Sequence, residues 1–188
     1  MITPAHGHTI AATALFPDRF ETEHLVLRPI QPNDAQPIFD GYAQDKDVTR
    51  FLTWQPHQTL AETEDYIARY ANAATSRTYV LVGRTDTMLR GAFDLRHSGP
   101  GRVGYGYVLA RRWWGQGIMT EALRAVADWA LAQPGIWRIG DVCDVDNRAS
   151  ARVMEKAGMS CEGRLRRWGI HPCIGPEPRD CFSYARVR

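Results

Sequence analysis

The sequence predicts a mixed α/β fold: a central, mostly antiparallel sheet that contains one parallel strand–helix–strand crossover. Three observations support this fold class. Residues 103–109 alternate in character with the period of a β-strand and include aromatic and β-branched side chains. Apolar residues at 119–130 then recur at three- and four-residue spacing, which is typical of a helix with one face against a sheet. A strand predicted at 137–145 follows that helix, so the two strands should run parallel.

The other elements are predicted from local signals. Strands are expected where apolar runs are bounded by glycine, proline or polar turns, at residues 25–30, 78–82, 89–96, 159–168 and 180–187. Helices are expected after polar caps, at residues 33–43, 59–77 and 148–157. Asn33 or Asp34 can cap the first helix, and Thr59 with Glu62 matches a capping box for the second.

Length and composition limit the class of protein. The 188 residues suffice for one domain, expected at 19–188, after a loose N-terminal arm at 1–18. With 23 Lys and Arg against 21 Asp and Glu, the chain is nearly neutral, so we expect neither a nucleic acid nor a membrane as partner. No apolar run is long enough to span a bilayer, and we therefore expect a cytoplasmic protein.

The four cysteines, at positions 143, 161, 173 and 181, give no reason to expect a metal. No two of them have Cys-x-x-Cys spacing. His171 and Cys173 are the nearest pair of metal-binding residue types, but a zinc site needs four ligands and the pattern specifies no others. We expect no metal.

The turn after the central strand has the properties of an anion site. The first turn of a helix leaves backbone N–H groups unpaired at the positive end of its dipole. Gly115 and Gly117 let a ligand approach that backbone, and Arg112 adds a charge suited to phosphate. A plain tight turn would explain the two glycines equally well, but their place between a strand and a helix favours a diphosphate site.

Three motifs carry a resemblance to a known family. They are Arg112-Trp-Trp-Gly115-Gln-Gly117 after a strand, Asp146-Asn147-Arg-Ala-Ser150 after the next strand, and Glu155-Lys-Ala-Gly158 at the end of its helix. Together they resemble the GNAT superfamily of acyl-CoA N-acyltransferases, and most closely its RimJ/RimL-type ribosomal-protein N-terminal acetyltransferases. The resemblance implies a GNAT-like fold and an N-acetyltransferase.

The resemblance also implies acetyl-CoA as the cofactor. Backbone N–H groups between residues 112 and 118 would bind its pyrophosphate, residues 108–110 would pair with pantetheine as a strand does, and Asn147 would hydrogen-bond the pantetheine arm. The implied cofactor residues are Val108, Leu109, Ala110, Arg112, Trp113, Trp114, Gly115, Gln116, Gly117, Ile118 and Asn147. Asn147 could instead be a plain helix cap, because that position selects the same residue type.

Acetyl transfer needs a neutral amine, and an acid for the leaving thiolate. Many members of the superfamily have a tyrosine acid where this chain has Met154. By its resemblance to RimL-type proteins, the chain offers Ser150 as the acid and Glu162 as a base. Both residues have a structural alternative, Ser150 as a helix-face residue and Glu162 as a surface carboxylate.

The acceptor is expected to be a peptide N-terminus or a small monoamine. An α-amine is easier to neutralise than a lysine, since its ordinary pKa lies near about 8 rather than about 10.4. Trp54, His57 and Trp168 should line the acceptor side, where the sequence shows no carboxylate cluster. Aromatic walls without such a cluster favour a monoamine over an aminoglycoside or polyamine.

Two other functions stay open from the sequence. The run from Gly115 to Thr120 is close to a dinucleotide-binding motif, although Thr120 replaces its third glycine. The chain could also be a non-catalytic acyl-CoA sensor, as the loss of the usual acid at Met154 suggests. A monomer and a homodimer are both compatible with the sequence.

Overall fold

The computed structural model describes residues 16–71 and 75–188, and it shows one eight-stranded sheet with helices on both faces. The strands are β1 Phe20–Glu21, β2 Leu25–Pro29, β3 Ser76–Gly83, β4 Leu89–His97, β5 Arg102–Leu109, β6 Arg138–Asp144, β7 Ser160–Gly169 and β8 Arg179–Val187. They lie in the order β1-β2-β3-β4-β5-β6-β8-β7. Every neighbouring pair is antiparallel except β5 and β6, which confirms the predicted fold class.

The helices in the described ranges pack on opposite faces of the sheet. They are α1 Ala35–Ile38, α2 Lys46–Thr49, α3 Leu60–Ala71, α4 Ile118–Ala132 and α5 Arg148–Lys156. One core joins α4 and α5 to residues such as Leu27, Phe93 and Tyr105. A second core joins α1 and α3 to alternate strand residues such as Val80 and Ala92 on the other face. Neighbouring strand residues point to opposite faces, so one sheet serves both cores.

The sheet splits between β5 and β6. These parallel strands pair only at Arg102 with Arg138 and at Val103 with Ile139, and then they diverge. Past the split Tyr105 forms no backbone pair with β6; its N–H donates instead to the side-chain carboxylate of Asp141 on that strand, at 3.2 Å. The divergence opens a cleft along the β6-facing edge of β5, and this cleft holds the candidate site.

The first helical segment differs from the prediction. It begins earlier, as a 3-10 turn over Pro32–Asp34, continues as α1 and ends as a π turn over Phe39–Ala43. Asp34 stands at the N-cap position of α1, but its side chain accepts no hydrogen bond from the first turn of that helix. Its buried carboxylate accepts instead from Gln31 N–H and from the Arg28 guanidinium. Pro32 starts the segment because a proline tolerates the first position of a helix.

Two short elements, β1 and α2, were not predicted, and one helix is shorter than expected. Thr59 caps α3, since its hydroxyl accepts from Glu62 N–H at 3.4 Å. The Glu62 carboxylate accepts from Gln58 N–H rather than from that of Thr59, so the capping box is shifted by one residue. The described part of the helix runs to Ala71 and β3 begins at Ser76, whereas the prediction extended the helix to residue 77.

The predicted N-terminal arm lies mostly outside the described residues. Its described end packs on the domain: Phe16 is buried in the core, and the Tyr79 hydroxyl donates to the carbonyl of Pro17 at 2.6 Å. The division into arm and domain stays a prediction. No helix in residues 16–71 or 75–188 combines the length and the apolar character that a bilayer crossing requires.

Candidate active site

The glycine-rich turn forms an open backbone surface at the start of α4. Gly115 and Gly117 have positive φ angles, of 75° and 78°, and Gly117 is the N-cap of α4. A Cβ added at either glycine would meet nothing within 4 Å, so the space beside the turn is free. Within the described part of the chain, the N–H groups of Gly115, Gln116 and Gly117 donate to no protein acceptor. This backbone fits a diphosphate.

A cleft of about 1150 Å³ begins at this turn. Its walls come from β5, α4 and α5 and from the segments around β1 and α2. Four cations line it, Arg50, Arg124, Arg152 and Lys156, together with the carboxylates of Glu21, Glu23, Asp47, Glu121 and Asp128. The Arg124 guanidinium donates to the Lys156 carbonyl at 2.7 Å, which ties α4 to the end of α5. We call this space the donor cleft. Its cations suit a ligand that carries several phosphates.

Most of the predicted cofactor residues lie on the donor cleft. Those that line it are Val108, Leu109, Trp113, Trp114, Gly115, Gly117, Ile118 and Asn147. The remaining three do not. Ala110 is buried in the second core, the Arg112 guanidinium lies 5.7 Å from the Trp113 ring centroid, and the Gln116 amide donates back to the Arg112 carbonyl.

The residues of β5 whose backbone faces the cleft are not the set that was predicted to pair with pantetheine. Ala110 N–H donates to the Arg90 carbonyl on the β4 side, so in an antiparallel ladder Val108 also faces β4. Tyr107 and Leu109 are therefore the residues whose backbone faces the cleft. The indole of Trp114 donates to the Leu109 carbonyl at 2.7 Å, which leaves Tyr107 as the open position for a pantetheine-like chain.

A pair of hydroxyls lies where α5 meets β5. Asn147 caps α5, because its side chain accepts from Ser150 N–H at 3.1 Å, and this cap fixes the first turn that carries Ser150. The Ser150 hydroxyl lies 2.7 Å from the Tyr107 hydroxyl. Burial raises the pKa of Tyr107 well above its usual value, so this phenol stays protonated near neutral pH.

Tyr107 is the residue that the sequence reasoning missed. The only available signal was its place in the alternating run of β5, which indicates a strand but no role. Met154, which occupies the position of the usual tyrosine acid, is buried in the core. The phenol that lies next to Ser150 therefore comes from β5 and not from α5.

A second cavity, of about 710 Å³, lies on the other side of this hydroxyl pair. We call it the acceptor cavity. It shares a set of lining residues with the donor cleft: Phe51, Leu52, Tyr107, Val108, Asn147 and Ser150. Ser150 and Tyr107 thus stand at the junction of two spaces, which is the arrangement that a transfer between two bound molecules requires.

Cys143 also lines the acceptor cavity near Ser150. Burial raises the pKa of its thiol to about 12, so the thiol stays protonated and is not a ready nucleophile. Within the described ranges, no group of three His, Cys, Asp or Glu side chains is arranged to hold a metal ion.

The structure does not bring Glu162 together with Ser150. The Glu162 carboxylate is exposed and forms a two-bond ion pair with the Arg138 guanidinium, and these bonds hold its pKa below the usual value. Glu162 stands on β7, the edge strand, and β8 separates it from β6. Glu162 lines neither cavity.

The predicted acceptor residues separate into two groups. Trp54 and Trp168 line the acceptor cavity, and Trp168 is 61% exposed at its rim. His57 lines neither cavity. It packs behind Trp54 with ring centroids 4.9 Å apart, and its Nδ1 lies 2.8 Å from the Thr63 hydroxyl. Burial lowers the pKa of His57, which favours its neutral form.

The expectation that the acceptor side has no carboxylate cluster is wrong. Asp94, Asp141 and Asp144 all line the acceptor cavity. The sequence did not show them as a cluster because they come from two strands, β4 and β6, that only the sheet brings together. Each carboxylate bonds an arginine: Arg96 bridges Asp94 and Asp141, while Arg179 binds Asp144.

Comparison with known proteins agrees with this geometry. Residues 24–160 match the family described as "Acetyltransferase (GNAT) domain". The "Uncharacterized N-acetyltransferase YoaA" of Bacillus subtilis is 30% identical over 156 residues, which cover 79% of this chain and 86% of that protein. The chain therefore belongs to the GNAT family of N-acetyltransferases, in which acetyl-CoA is the acetyl donor.

Solved structures show the same fold. A GNAT-family acetyltransferase from Bacillus anthracis superposes with a TM-score of 0.80 at 24% identity, covering 90% of this chain and 98% of that one. RimL, a ribosomal-protein α-N-acetyltransferase in complex with coenzyme A, superposes with a TM-score of 0.76 at 21% identity, covering 88% and 95%. The dinucleotide-binding alternative does not fit, because a Rossmann unit needs a parallel sheet.

Proposed function

We propose that this N-acetyltransferase acts on the primary amine of a peptide N-terminus or of a small monoamine. The observation that carries the proposal is the junction of the donor cleft and the acceptor cavity at Ser150 and Tyr107. A ligand in either space would reach this hydroxyl pair.

Acetyl-CoA would supply the acetyl group as an activated thioester. The free N–H groups of residues 115–117 would hold its diphosphate, and the cations Arg124, Arg152 and Lys156 would balance the remaining phosphate charge. The open backbone of Tyr107 would bond the pantetheine amides. These roles are supported by the free space beside both glycines of the turn.

Ser150 would donate a proton to the leaving thiolate. The Tyr107 hydroxyl, at 2.7 Å, would hold the Ser150 hydroxyl in place by a hydrogen bond, and Ser150 would regain its proton from solvent. A serine hydroxyl is a weak acid by itself. The neighbouring phenol, which burial keeps protonated, supports this role as a hydrogen-bond donor that would stabilise the negative charge on the serine oxygen after the proton leaves.

The acceptor cavity supports an amine that carries one positive charge. Its walls include Trp54 and Trp168, and its carboxylates already bond the guanidiniums of Arg96 and Arg179. A polyamine would have to compete with those arginines for each carboxylate. The likeness to RimL agrees with a peptide α-amine as acceptor.

The test is an acetylation screen followed by mass spectrometry. We expect acetyl transfer to peptides that begin with Ala, Ser or Met, or to small monoamines, and slower transfer to spermidine and aminoglycosides. The matched control is each peptide with its N-terminus blocked and one internal lysine. Acetylation of the blocked peptides or of polyamines alone would contradict the proposed acceptor. Binding of acetyl-CoA with no turnover on any amine would instead favour the non-catalytic sensor.

A further inference from the structure

His171 is a buried side chain that takes no part in the proton transfer proposed for Ser150. It stands in the loop between β7 and β8, it is 7% exposed, and it lines the acceptor cavity. Its ring packs edge-on against Phe51, with centroids 6.1 Å apart. Phe51 lines both spaces, so His171 contacts a residue at the junction where acetyl transfer would occur.

Both ring nitrogens of His171 are buried without a hydrogen-bond partner. Leaving a buried polar atom unsatisfied costs about 1–3 kcal/mol, so a histidine kept in this state calls for a reason. The Asp144 carboxylate lies close by, with its Oδ2 3.4 Å from His171 Nε2. A shift of a few tenths of an ångström would close this gap to a hydrogen bond.

Asp144 is well placed to orient an imidazole. Its side chain is fully buried, and it accepts from Arg179 Nε at 2.6 Å and from Asp146 N–H at 2.8 Å. These bonds fix the carboxylate. They also hold its pKa below the usual value, against the rise that burial alone would cause, so it stays charged. A fixed carboxylate next to Nε2 favours the tautomer that carries the proton there.

We propose that His171 is the base that receives the proton of the acceptor amine, with Asp144 as its positioning residue. The proposal rests on the proposed function, because it assigns a proton acceptor to the same reaction. With the proton on Nε2 facing Asp144, Nδ1 carries the free lone pair. This assignment fills the place that Glu162, paired with Arg138 outside both cavities, leaves vacant.

The transfer then balances in atoms and charge. The amine nitrogen forms a bond to the acetyl carbon, and the carbon–sulfur bond of the thioester breaks. The amine proton goes to His171 Nδ1, and the thiolate takes a proton from Ser150. The imidazolium so formed faces the Asp144 carboxylate, which stabilises it until its proton is lost to solvent, and Ser150 regains a proton from solvent, so both groups return to their starting states.

Few other ionisable groups surround the His171 ring. On the β6 and β8 side they are Asp144, Arg179 and the thiol of Cys181. The Cys181 sulfur and the His171 ring both lie next to Gly169. On the other side, the Arg50 guanidinium lies over the ring of Phe51, which packs against His171. Cys173, on the same loop, turns to the Thr49 hydroxyl and the Trp54 carbonyl. Asp144 is thus the only carboxylate shown within 4 Å of the ring among the described residues.

The first experiment reads the tautomer of the wild-type protein. Long-range ¹H–¹⁵N NMR distinguishes a protonated from an unprotonated ring nitrogen, and the His171→Gln spectrum assigns the signal. We expect the neutral ring to carry its proton on Nε2. A proton on Nδ1 would overturn the proposal. This readout does not depend on which amine is acetylated, so it judges His171 even if the proposed acceptor is wrong.

The second experiment measures the rate against pH on whichever amine the wild type acetylates best. We expect His171→Gln to lower kcat roughly 100-fold and to remove the acidic limb of the pH profile, while the Kd for acetyl-CoA stays unchanged. His97→Gln is the matched control, because His97 is exposed at the end of β4 and lines neither cavity. A His171→Gln enzyme with wild-type kcat and pH profile would overturn the proposal, whereas failure of the wild type on peptides and monoamines would contradict only the proposed acceptor.

Discussion

At the scale of single residues, the hydroxyls of Ser150 and Tyr107 connect the two spaces of the site. We predict that Ser150→Ala lowers kcat by about 100-fold with little change in the KM for acetyl-CoA. The reason is that a proton donor acts on charge that appears only as the thiolate leaves. Steady-state kinetics with saturating acceptor check this.

Ser160→Ala is the matched control for that experiment. Ser160 is exposed at the start of β7 and lines neither cavity, so its kinetics should equal those of the wild type. A Ser150→Ala variant that keeps its kcat but binds acetyl-CoA more weakly would reassign Ser150 as a binding residue.

Asp144 carries a stability prediction. Its carboxylate is buried and paired with Arg179, and its folded-state pKa lies below the unfolded value of about 3.9. A lowered pKa stabilises the folded state at pH values above the unfolded pKa, and this contribution is lost as the pH falls through the folded pKa. We expect Asp144→Asn to cost about 2 kcal/mol in the free energy of unfolding at pH 7, and less at pH 3.

Urea denaturation at the two pH values measures this difference. Glu177→Gln is the control, because the Arg167–Glu177 pair is largely exposed and should contribute less than about 0.5 kcal/mol. Equal losses for both variants at pH 7 would show that the Asp144 pair is no stronger than a surface ion pair.

Single residues also show where sequence reasoning stops. Ser150 was named through the resemblance to RimL-type proteins, and its role as the acid stays a prediction; its place one helical turn after the Asn147 cap is a local relation. Tyr107 was missed because its contact with Ser150 joins a strand to a helix 43 positions away. The ion pair of Glu162 could not be predicted because its partner Arg138 lies on another strand. Alternation along β7 does not tell which face of the sheet Glu162 is on.

At the scale of elements, the start of α4 is the part of the site that depends most on backbone shape. Gly117→Trp should abolish binding of CoA, because the indole would fill the open space beside the turn. The positive φ of 78° also adds strain for any residue with a Cβ, of about 1–2 kcal/mol. Calorimetric titration with CoA checks the prediction.

Gly135→Trp separates the two effects. Gly135 has nearly the same φ, 79°, and equally open surroundings, but it lies after the end of α4, away from the donor cleft. Both variants should lose similar stability, and only Gly117→Trp should lose CoA. Unchanged CoA affinity in a folded Gly117→Trp variant would contradict the diphosphate assignment.

The elements themselves were largely predictable, since most are long and periodic. The central strand, α4 and β6 follow directly from alternation and from three- and four-residue spacing. The two missed elements, β1 and α2, have two and four residues, too few to show a period. The split of the sheet was not predictable either, because it depends on where β5 and β6 stop pairing.

At the scale of the whole molecule, the β7–β8 loop and the segment between α2 and α3 form the rim of the acceptor cavity. Trp168→Ala should raise the KM for the acceptor about 10-fold and leave the KM for acetyl-CoA unchanged, because Trp168 lines only the acceptor cavity. Trp137→Ala is the control, with a similar exposure of 62% at a site remote from both cavities. Equal acceptor KM values for the two variants would place the acceptor elsewhere.

The proposed reaction requires one feature of the whole molecule: the donor cleft and the acceptor cavity meet at Ser150. A crystal structure of the protein with coenzyme A tests it most directly. We expect the diphosphate against the N–H groups of residues 115–117 and the sulfur within about 4 Å of Ser150 Oγ, at the opening to the acceptor cavity. An ordered coenzyme A whose sulfur lies away from Ser150, or whose diphosphate binds elsewhere than the turn before α4, would contradict the account.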